Sequence, residues 1–136
     1  MDELDINYLK NKKKIKIGEL TPEVIDILNL NDKPRNITMW ADRLEHCEKH
    51  KEDFSSEEDY YKTIKCIPSI IQSPDYIGLH PDGNSIQYIK KITENCIVGI
   101  TTNSLSFRTL YPIKESKLEY YLETNRIKPI NKEGLQ

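Results

Sequence analysis

The sequence predicts an α+β domain in which N-terminal helices pack on a four-stranded antiparallel β-sheet, followed by a closing C-terminal helix. Two observations predict it. Apolar residues recur at helical spacing in the first half of the chain, and from about residue 75 they alternate with polar residues. Four such alternating segments follow one another, separated by short polar turns, which is typical of an antiparallel meander. The chain has 136 residues, a length that suits one domain with one core.

The chain begins with a polar, Lys-rich stretch that shows little periodicity. We therefore predict a frayed lead-in over residues 1–13, a single domain over residues 14–130 and a tail over residues 131–136. The strict alternation of Lys14-Ile15-Lys16-Ile17 predicts a short strand at the start of the domain.

Three helices are predicted in the front half. Thr21 followed by Pro22 is a typical helix start, with Thr as the N-cap and Pro at the first helical position. A brief extended piece at 37–40 leads into a second helix over about residues 41–52. The pattern Ser55-x-x-Glu58 predicts a capping box for a third helix, which Pro68 breaks or kinks.

The back half supplies the predicted sheet. Strands are expected at about 75–79, 86–90, 95–101 and 105–111, and a helix at about 115–124. The turn at 80–84 is rich in breakers, and Pro112 stops the fourth strand.

Composition limits the class of protein. Basic residues number 20 and acidic residues 22, which gives a net charge of -2, so any nucleic-acid contact must come from a local basic groove. The three cysteines form no CxxC pair and indicate buried thiols. There is no apolar run long enough for a membrane span and no signal peptide, so we expect action in the cytoplasm, or delivery within a larger toxin or phage protein. Gly-rich phosphate loops are lacking, and we expect no cofactor.

His46 and His50 stand four residues apart on the predicted second helix, so both project from one face. They could be ordinary surface histidines. A metal site would need a distant third ligand such as His80, and the HExxH pattern fails because Glu48 is one place late. The third interpretation is metal-independent general-base catalysis, because histidine titrates near neutral pH. Nearby Arg43 and Lys49 could hold a phosphate.

Strand alternation places Thr109 and Tyr111 on one face of the fourth predicted strand, with Arg108 on the other. A hydroxyl and a phenol side by side can contact a phosphate, although Thr and Tyr are also ordinary strand residues. Arg108 and Lys90 are further candidates for substrate binding; a solvated charge is the alternative for Lys90.

The order of these features resembles the phage-associated branch of the barnase–EndoU–colicin E5/D–RelE-like nucleases over residues 15–130. A helix carrying His46-x-x-x-His50 is part of the resemblance. The other matching pieces, in order, are IGEL at 17–20, ILNL at 27–30, ITM at 37–39, IPSIIQSPDYIG at 67–78 and FRTLYPI at 107–113.

The resemblance implies metal-independent RNA cleavage by a toxin-type nuclease of the BECR/RelE-like fold. His46 and His50 match a helix-borne histidine, with His46 favoured as the base for its place in the motif. Thr109 and Tyr111 match a hydroxyl-plus-aromatic pair on a late strand. The implied partners are RNA, with tRNA as one candidate, and a cognate inhibitor or immunity protein.

A non-catalytic domain on the same scaffold is the alternative. Such a phage or mobile-element accessory protein would bind a protein or RNA without cutting it. The acidic stretch over residues 52–59 would suit a basic partner.

Overall fold

The computed structural model describes residues 3–130. Its helices are α1 (Ile6–Lys12), α2 (Pro22–Leu28), α3 (Asp42–Glu48), α4 (Glu57–Lys65), α5 (Ile67–Gln72) and α6 (Glu115–Glu123), with a 3-10 turn at Lys51–Asp53. Its strands are β1 (Lys14–Leu20), β2 (Arg35–Trp40), β3 (Tyr76–Leu79), β4 (Ser85–Lys91), β5 (Asn95–Thr101), β6 (Phe107–Pro112) and β7 (Ile127–Pro129). The tail predicted at 131–136 lies outside the described residues.

The main sheet has five strands in the order β6-β5-β4-β3-β7, and every neighbouring pair is antiparallel. The predicted meander is β3–β6, and the expectation of four strands was wrong because β7 adds a fifth strand beside β3. After α6 the chain reverses at Asn125, whose φ is 60°, and buries Ile127. Gly78 allows this approach, since a Cβ there would lie 2.5 Å from the backbone oxygen of Arg126.

Strands β1 and β2 form a separate two-stranded sheet, which bears out the strand predicted from the alternation at 14–17 and extends it to Leu20. This small sheet reaches the main sheet at one point. The backbone N–H of Thr38 donates to the carbonyl of Leu105 at 3.0 Å, next to a single parallel bridge between Thr38 and Ser106. The start of β6 is therefore covered by β2.

The segment before β1 is folded where it is described, so the expectation of a frayed lead-in was wrong for residues 3–13. Asp5 caps α1 by accepting a hydrogen bond from the backbone N–H of Tyr8 at 2.9 Å. Leu9 is fully buried, and the N–H of Leu4 donates to the carbonyl of Lys65. Two leucines among many lysines are enough to anchor this turn because each buries a whole side chain, worth roughly 1.5–3 kcal/mol.

Two predicted helix boundaries also differ. The second helix ends at Glu48 rather than near residue 52, and a 3-10 turn follows it. The cap of α4 is Ser56, whose side chain accepts from the N–H of Asp59 at 3.0 Å; Ser55 instead bonds Glu94. The break predicted at Pro68 is confirmed: α4 ends at Lys65, and Pro68 lies in the first turn of α5, where its missing N–H costs nothing.

The core is divided by the main sheet. Ile86 and Tyr88 of β4 pack into the larger cluster with the N-terminal elements, whereas Ile89 of the same strand packs into a smaller cluster with Leu118 and Tyr121 of α6. Alternation along β4 thus gives each face of the sheet its own apolar cluster. Among the described residues, no helix is both long and apolar enough to span a membrane.

Candidate active site

A β-bulge in β6 sets the position of the candidate residues on that strand. Phe107 pairs with Ile100 and Thr109 pairs with Gly99, so Arg108 is an extra residue in the ladder. Phe107 and Leu110 are consequently both buried although they stand three apart. Bulges of this kind re-aim side chains at sheet edges and next to active sites.

A cleft of about 650 Å³ lies along β6, between that strand and the segment that follows α3. The structure brings His50, Thr109 and Tyr111 together in its wall, although His50 is distant from the other two in sequence. His46 is not among the lining residues. The remainder of the wall consists of Asp53, Phe54, Ser55, Glu94, Pro112, Ile113 and Lys114.

His50 owes its place in the cleft to the early end of α3. It lies just past the helix, where its N–H still donates to the carbonyl of Cys47 at 2.9 Å. Its Nδ1 atom lies 3.5 Å from Oδ2 of Asp53 in the 3-10 turn. A carboxylate close to one ring nitrogen orients the imidazole, and the other nitrogen, Nε2, is then the one that exchanges a proton.

His46 lies behind His50 rather than beside it in the cleft. The two ring centroids are 5.0 Å apart, at an interplanar angle of 61°. Burial lowers the pKa of His46, and the positive charges of Arg43, Lys49 and Arg108, together with that of His50 when it is protonated, lower it further. His46 is therefore a neutral ring at pH 7 that packs edge-on against His50.

Tyr111 belongs to a small polar network on the α6 side of the sheet. The side-chain amide of Gln87 donates to its phenol oxygen at 3.4 Å, and Arg126 donates to the Gln87 Oε1 at 3.4 Å. The Arg126 guanidinium stacks 4.1 Å from the centre of the Tyr121 ring. Burial raises the pKa of Tyr111, and this effect exceeds the opposing influence of Arg126 and Gln87. The phenol is thus protonated at neutral pH and available as a donor.

Thr109 and Lys114 add a hydroxyl and a cation to the same cleft. Thr109 faces Gly99 across the ladder, and a Cβ at that glycine would lie 3.2 Å from the Thr109 methyl. Within residues 3–130, no carboxylate lies within ion-pair distance of Lys114 Nζ. An unpaired ammonium beside a hydroxyl and a phenol is suited to an anionic group such as a phosphate.

The predicted substrate-binding residues are distributed over several places. The Arg43 guanidinium donates to the backbone oxygen of Arg108 through Nε at 3.1 Å and through a terminal nitrogen, and both arginines line a neighbouring groove. Lys49 is exposed at the end of α3. Lys90 does not line the cleft: its Nζ binds the carbonyl of Ser73 at 2.7 Å.

His80 lies in the turn between β3 and β4, where its Nδ1 is 3.0 Å from Oδ1 of Asp82. It does not join His46 and His50. In the part of the chain that the structure describes, no three His, Cys, Asp or Glu side chains come together as a set that could hold a metal ion.

The model of the family of phage-Barnase-EndoU-ColicinE5/D-RelE like nucleases, group 3, matches residues 14–120. This match covers most of the chain, including α3, β6 and the cleft between them. The chain belongs to this nuclease family. The resemblance drawn from the sequence motifs is confirmed, and the family indicates nuclease activity in the broad sense. No curated protein and no solved structure matches the chain.

Four residues in or next to this candidate site were not singled out from the sequence: Gln87, Asp53, Lys114 and Arg126. Gln87 carried a usable signal, because it is a lone amide inside the fully buried run Ser85–Ile89. A polar side chain in such a run needs partners and marks a site of interest. The other three look like ordinary surface charges in sequence, and only the fold brings them to Tyr111 and His50.

Proposed function

We propose that the protein is a toxin-type endoribonuclease that needs no metal ion and cleaves RNA through attack of a ribose 2′-hydroxyl on the adjacent phosphate. One observation carries the proposal. His50, Thr109, Tyr111 and Lys114 line a single cleft, which thereby holds a base, two hydroxyl donors and a cation. These are the groups that phosphoryl transfer to a neutral alcohol requires.

His50 is the general base in this mechanism. Its Nε2 accepts the proton of the 2′-hydroxyl as the O2′–P bond forms, and Asp53 at 3.5 Å from Nδ1 stabilises the imidazolium that results. The geometry favours His50 over His46 because His50 lines the cleft. His46 contributes a neutral packing surface that fixes the orientation of the His50 ring.

Tyr111, Thr109 and Lys114 act on the phosphate. Lys114 and the Thr109 hydroxyl contact the non-bridging oxygens, where negative charge grows in the transition state. Tyr111 donates its proton to O5′ as the P–O5′ bond breaks, and the Gln87 amide at 3.4 Å stabilises the phenolate left behind. The products are a 2′,3′-cyclic phosphate and a 5′-hydroxyl, and each proton taken by His50 is matched by one released from Tyr111.

The test is incubation of the purified protein with cellular RNA in EDTA, with end-group analysis of the fragments. We expect cyclic phosphate ends from the wild type, loss of cleavage in His50→Ala, and retention in the matched control His80→Ala. His80 is also an exposed histidine next to an aspartate, but it does not line the cleft. Cleavage that disappears in EDTA, or that persists in folded His50→Ala, would contradict the mechanism.

Two further parts of the proposal concern the cell. The nuclease acts in the cytoplasm, where its RNA substrate is, and an inhibitor protein binds it there, as the resemblance implies. An inhibitor that covers the cleft should prevent cleavage and protect His50 from histidine-specific modification. If neither variant nor wild type cleaves RNA and all are folded, the accessory binding domain becomes the better interpretation, and a pull-down identifies its partner.

A further inference from the structure

Two grooves lie next to the cleft along β6: one overlaps the cleft in its lining residues, and the other ends at Arg108, the residue before Thr109 of the cleft. The first, of about 480 Å³, is lined by Trp40, Arg43, Ser106 and Arg108 among others, and we call it the Trp40 groove. The second, of about 470 Å³, is the Tyr120 groove; it shares residues 111–114 with the cleft and adds Lys117 and Tyr120. Residues 106–108 line the first groove, and residues 109 and 111–114 line the cleft. The end of β6 and residues of α6 line the second groove. All three follow one strand.

Trp40 is the single tryptophan of the chain and is 49% exposed. It stands at the end of β2, where Ile37 and Met39 point into the core and Trp40 points away from it. The Nζ of Lys14, its partner across the β1–β2 ladder, lies 4.9 Å from the centre of its ring system. A large aromatic surface left in water beside a cation is a typical stacking position for a nucleic-acid base.

Cations flank this indole in a fixed arrangement. Arg43 is held by its two hydrogen bonds to the Arg108 carbonyl, so its charge stays in the groove. The Arg108 side chain is exposed, and across the described range 3–130 no carboxylate lies within ion-pair distance of it, although Asp82 interacts with its charge at longer range. Asp42 is the acid that lines this groove. The lowered pKa of His46, to which both arginines contribute, is consistent with a positive potential here.

The Tyr120 groove repeats the combination at the other end. Tyr120 is 58% exposed on α6, beside Tyr121, with ring centroids 6.3 Å apart. Lys117 lies 5.8 Å from the centre of the Tyr121 ring, and Lys114 stands where this groove meets the cleft. The Trp40 end therefore has one exposed ring with Lys14, Arg43 and Arg108, and the Tyr120 end has one exposed ring with Lys114 and Lys117.

We propose that the Trp40 groove, the cleft and the Tyr120 groove form one tract that binds single-stranded RNA along β6. Bases that flank the reacting nucleotide stack on Trp40 and on Tyr120, while Arg43, Arg108, Lys114 and Lys117 contact phosphates. The assignment of the reacting nucleotide rests on the proposed function; the binding tract does not. A single strand fits because its unstacked bases are free to meet aromatic rings, whereas those of a duplex are stacked on one another.

The test is fluorescence anisotropy with a labelled 2′-O-methyl RNA of about eight nucleotides, within the range that one single-strand groove covers. Its blocked 2′-oxygen prevents cleavage by the proposed mechanism, so binding is read separately. We expect Trp40→Ala and Tyr120→Ala each to weaken binding about 5- to 100-fold, as the loss of one base stack does. Tyr61→Ala is the matched control: this ring is 40% exposed but lies next to Glu48, away from the tract. It should bind as the wild type does.

Three additional results decide the proposal. Trp40→Tyr should restore much of the affinity, because a smaller ring still stacks. Arg108→Ala should lower the slope of log affinity against log salt by about one. The same sequence closed into a duplex should bind more weakly than the single strand.

The proposal is overturned if Trp40→Ala and Tyr120→Ala, shown to be folded by circular dichroism, bind as Tyr61→Ala does, or if duplex and single strand bind equally. It is also overturned if an acidic polypeptide displaces the RNA at equal concentration, which would indicate a protein-binding surface. The proposed function can fail separately. If the wild type binds the oligonucleotide through both rings but cleaves no RNA, the binding tract is supported and the cleavage mechanism is contradicted.

Discussion

Replacement of Tyr111 by Phe removes one oxygen atom from the cleft and separates its structural role from its chemical one. The phenol oxygen accepts from Gln87 at 3.4 Å, which is long for a hydrogen bond. Its loss should therefore lower the free energy of unfolding by about 0.5–1 kcal/mol. For a chain of this size the melting temperature should fall by roughly 2–4 °C. Folded protein remains in great excess, since stabilities are roughly 5–15 kcal/mol.

The effect on catalysis should be much larger. Loss of the general acid proposed for O5′ should reduce kcat about 100- to 10,000-fold. So large a decrease cannot come from unfolding of the small magnitude just described. Initial cleavage rates of a short RNA in EDTA, measured beside a thermal melt of each protein, give both quantities.

Tyr88→Phe is the matched control for this experiment. Tyr88 lies on β4, is fully buried, and its hydroxyl has no hydrogen-bond partner within residues 3–130. Removal of an unpaired buried hydroxyl should leave stability unchanged or raise it by up to about 1 kcal/mol, with full activity. The reasoning would be refuted if Tyr111→Phe cleaved RNA within about threefold of the wild-type rate, or if Tyr88→Phe lost as much activity.

Three other perturbations test the fold. His46 has a pKa below its ordinary value of 6.5, so the unfolded chain binds this proton more readily than the folded one. The free energy of unfolding of the wild type, measured by urea melts, should therefore fall as the pH decreases from 7 through 6.5, and it should depend less on pH in His46→Gln. Gly78→Ala places a Cβ 2.5 Å from the backbone oxygen of Arg126 and should lower the free energy of unfolding by about 1–3 kcal/mol in thermal melts. Gly18→Ala should lower it less, because that Cβ meets only the side chain of Ile71, and equal losses would contradict the packing of β7. Ser56→Ala should lower the free energy of unfolding by about 1 kcal/mol through loss of the α4 cap, and no change would place the cap elsewhere.

Much of the fold could be predicted because local patterns determine it. The alternation in β3–β6 reflects side chains that point in turn to the two faces of the sheet, and Thr21 with Pro22 specifies the start of α2 locally, through the Thr21 side-chain cap and the fixed φ of Pro22. The elements that were missed depend on tertiary contacts. Helix α1 is held by Leu9 within a polar segment, and β7 is three residues long and forms only because β3 provides an edge with Gly78 in it.

For the candidate site, residue types could be predicted but their arrangement could not. His46 and His50 were expected on one helix face and do lie in ring contact, with centroids 5.0 Å apart, but α3 ends at Glu48, and only His50 lines the cleft. Thr109 and Tyr111 line the same cleft, as alternation predicts. Strict alternation assigned Arg108 to the face opposite Thr109, but in the structure Arg108 is the extra residue of a β-bulge. The bulge arises from the pairing of β6 with Gly99 and Ile100 and has no signature in the local sequence.

The two walls of the cleft come from distant parts of the sequence. His50 and Asp53 come from the segment after α3, whereas Thr109, Tyr111 and Lys114 follow β5. The exposed turn at Asp82–Asn84 lies between these two parts, with Gly83 at a φ of 77°. A chain divided at that turn would leave each fragment with only part of the groups that line the cleft. The two fragments could then be produced separately, each without a complete cleft, and the proposed nuclease would be restored only by their reassembly.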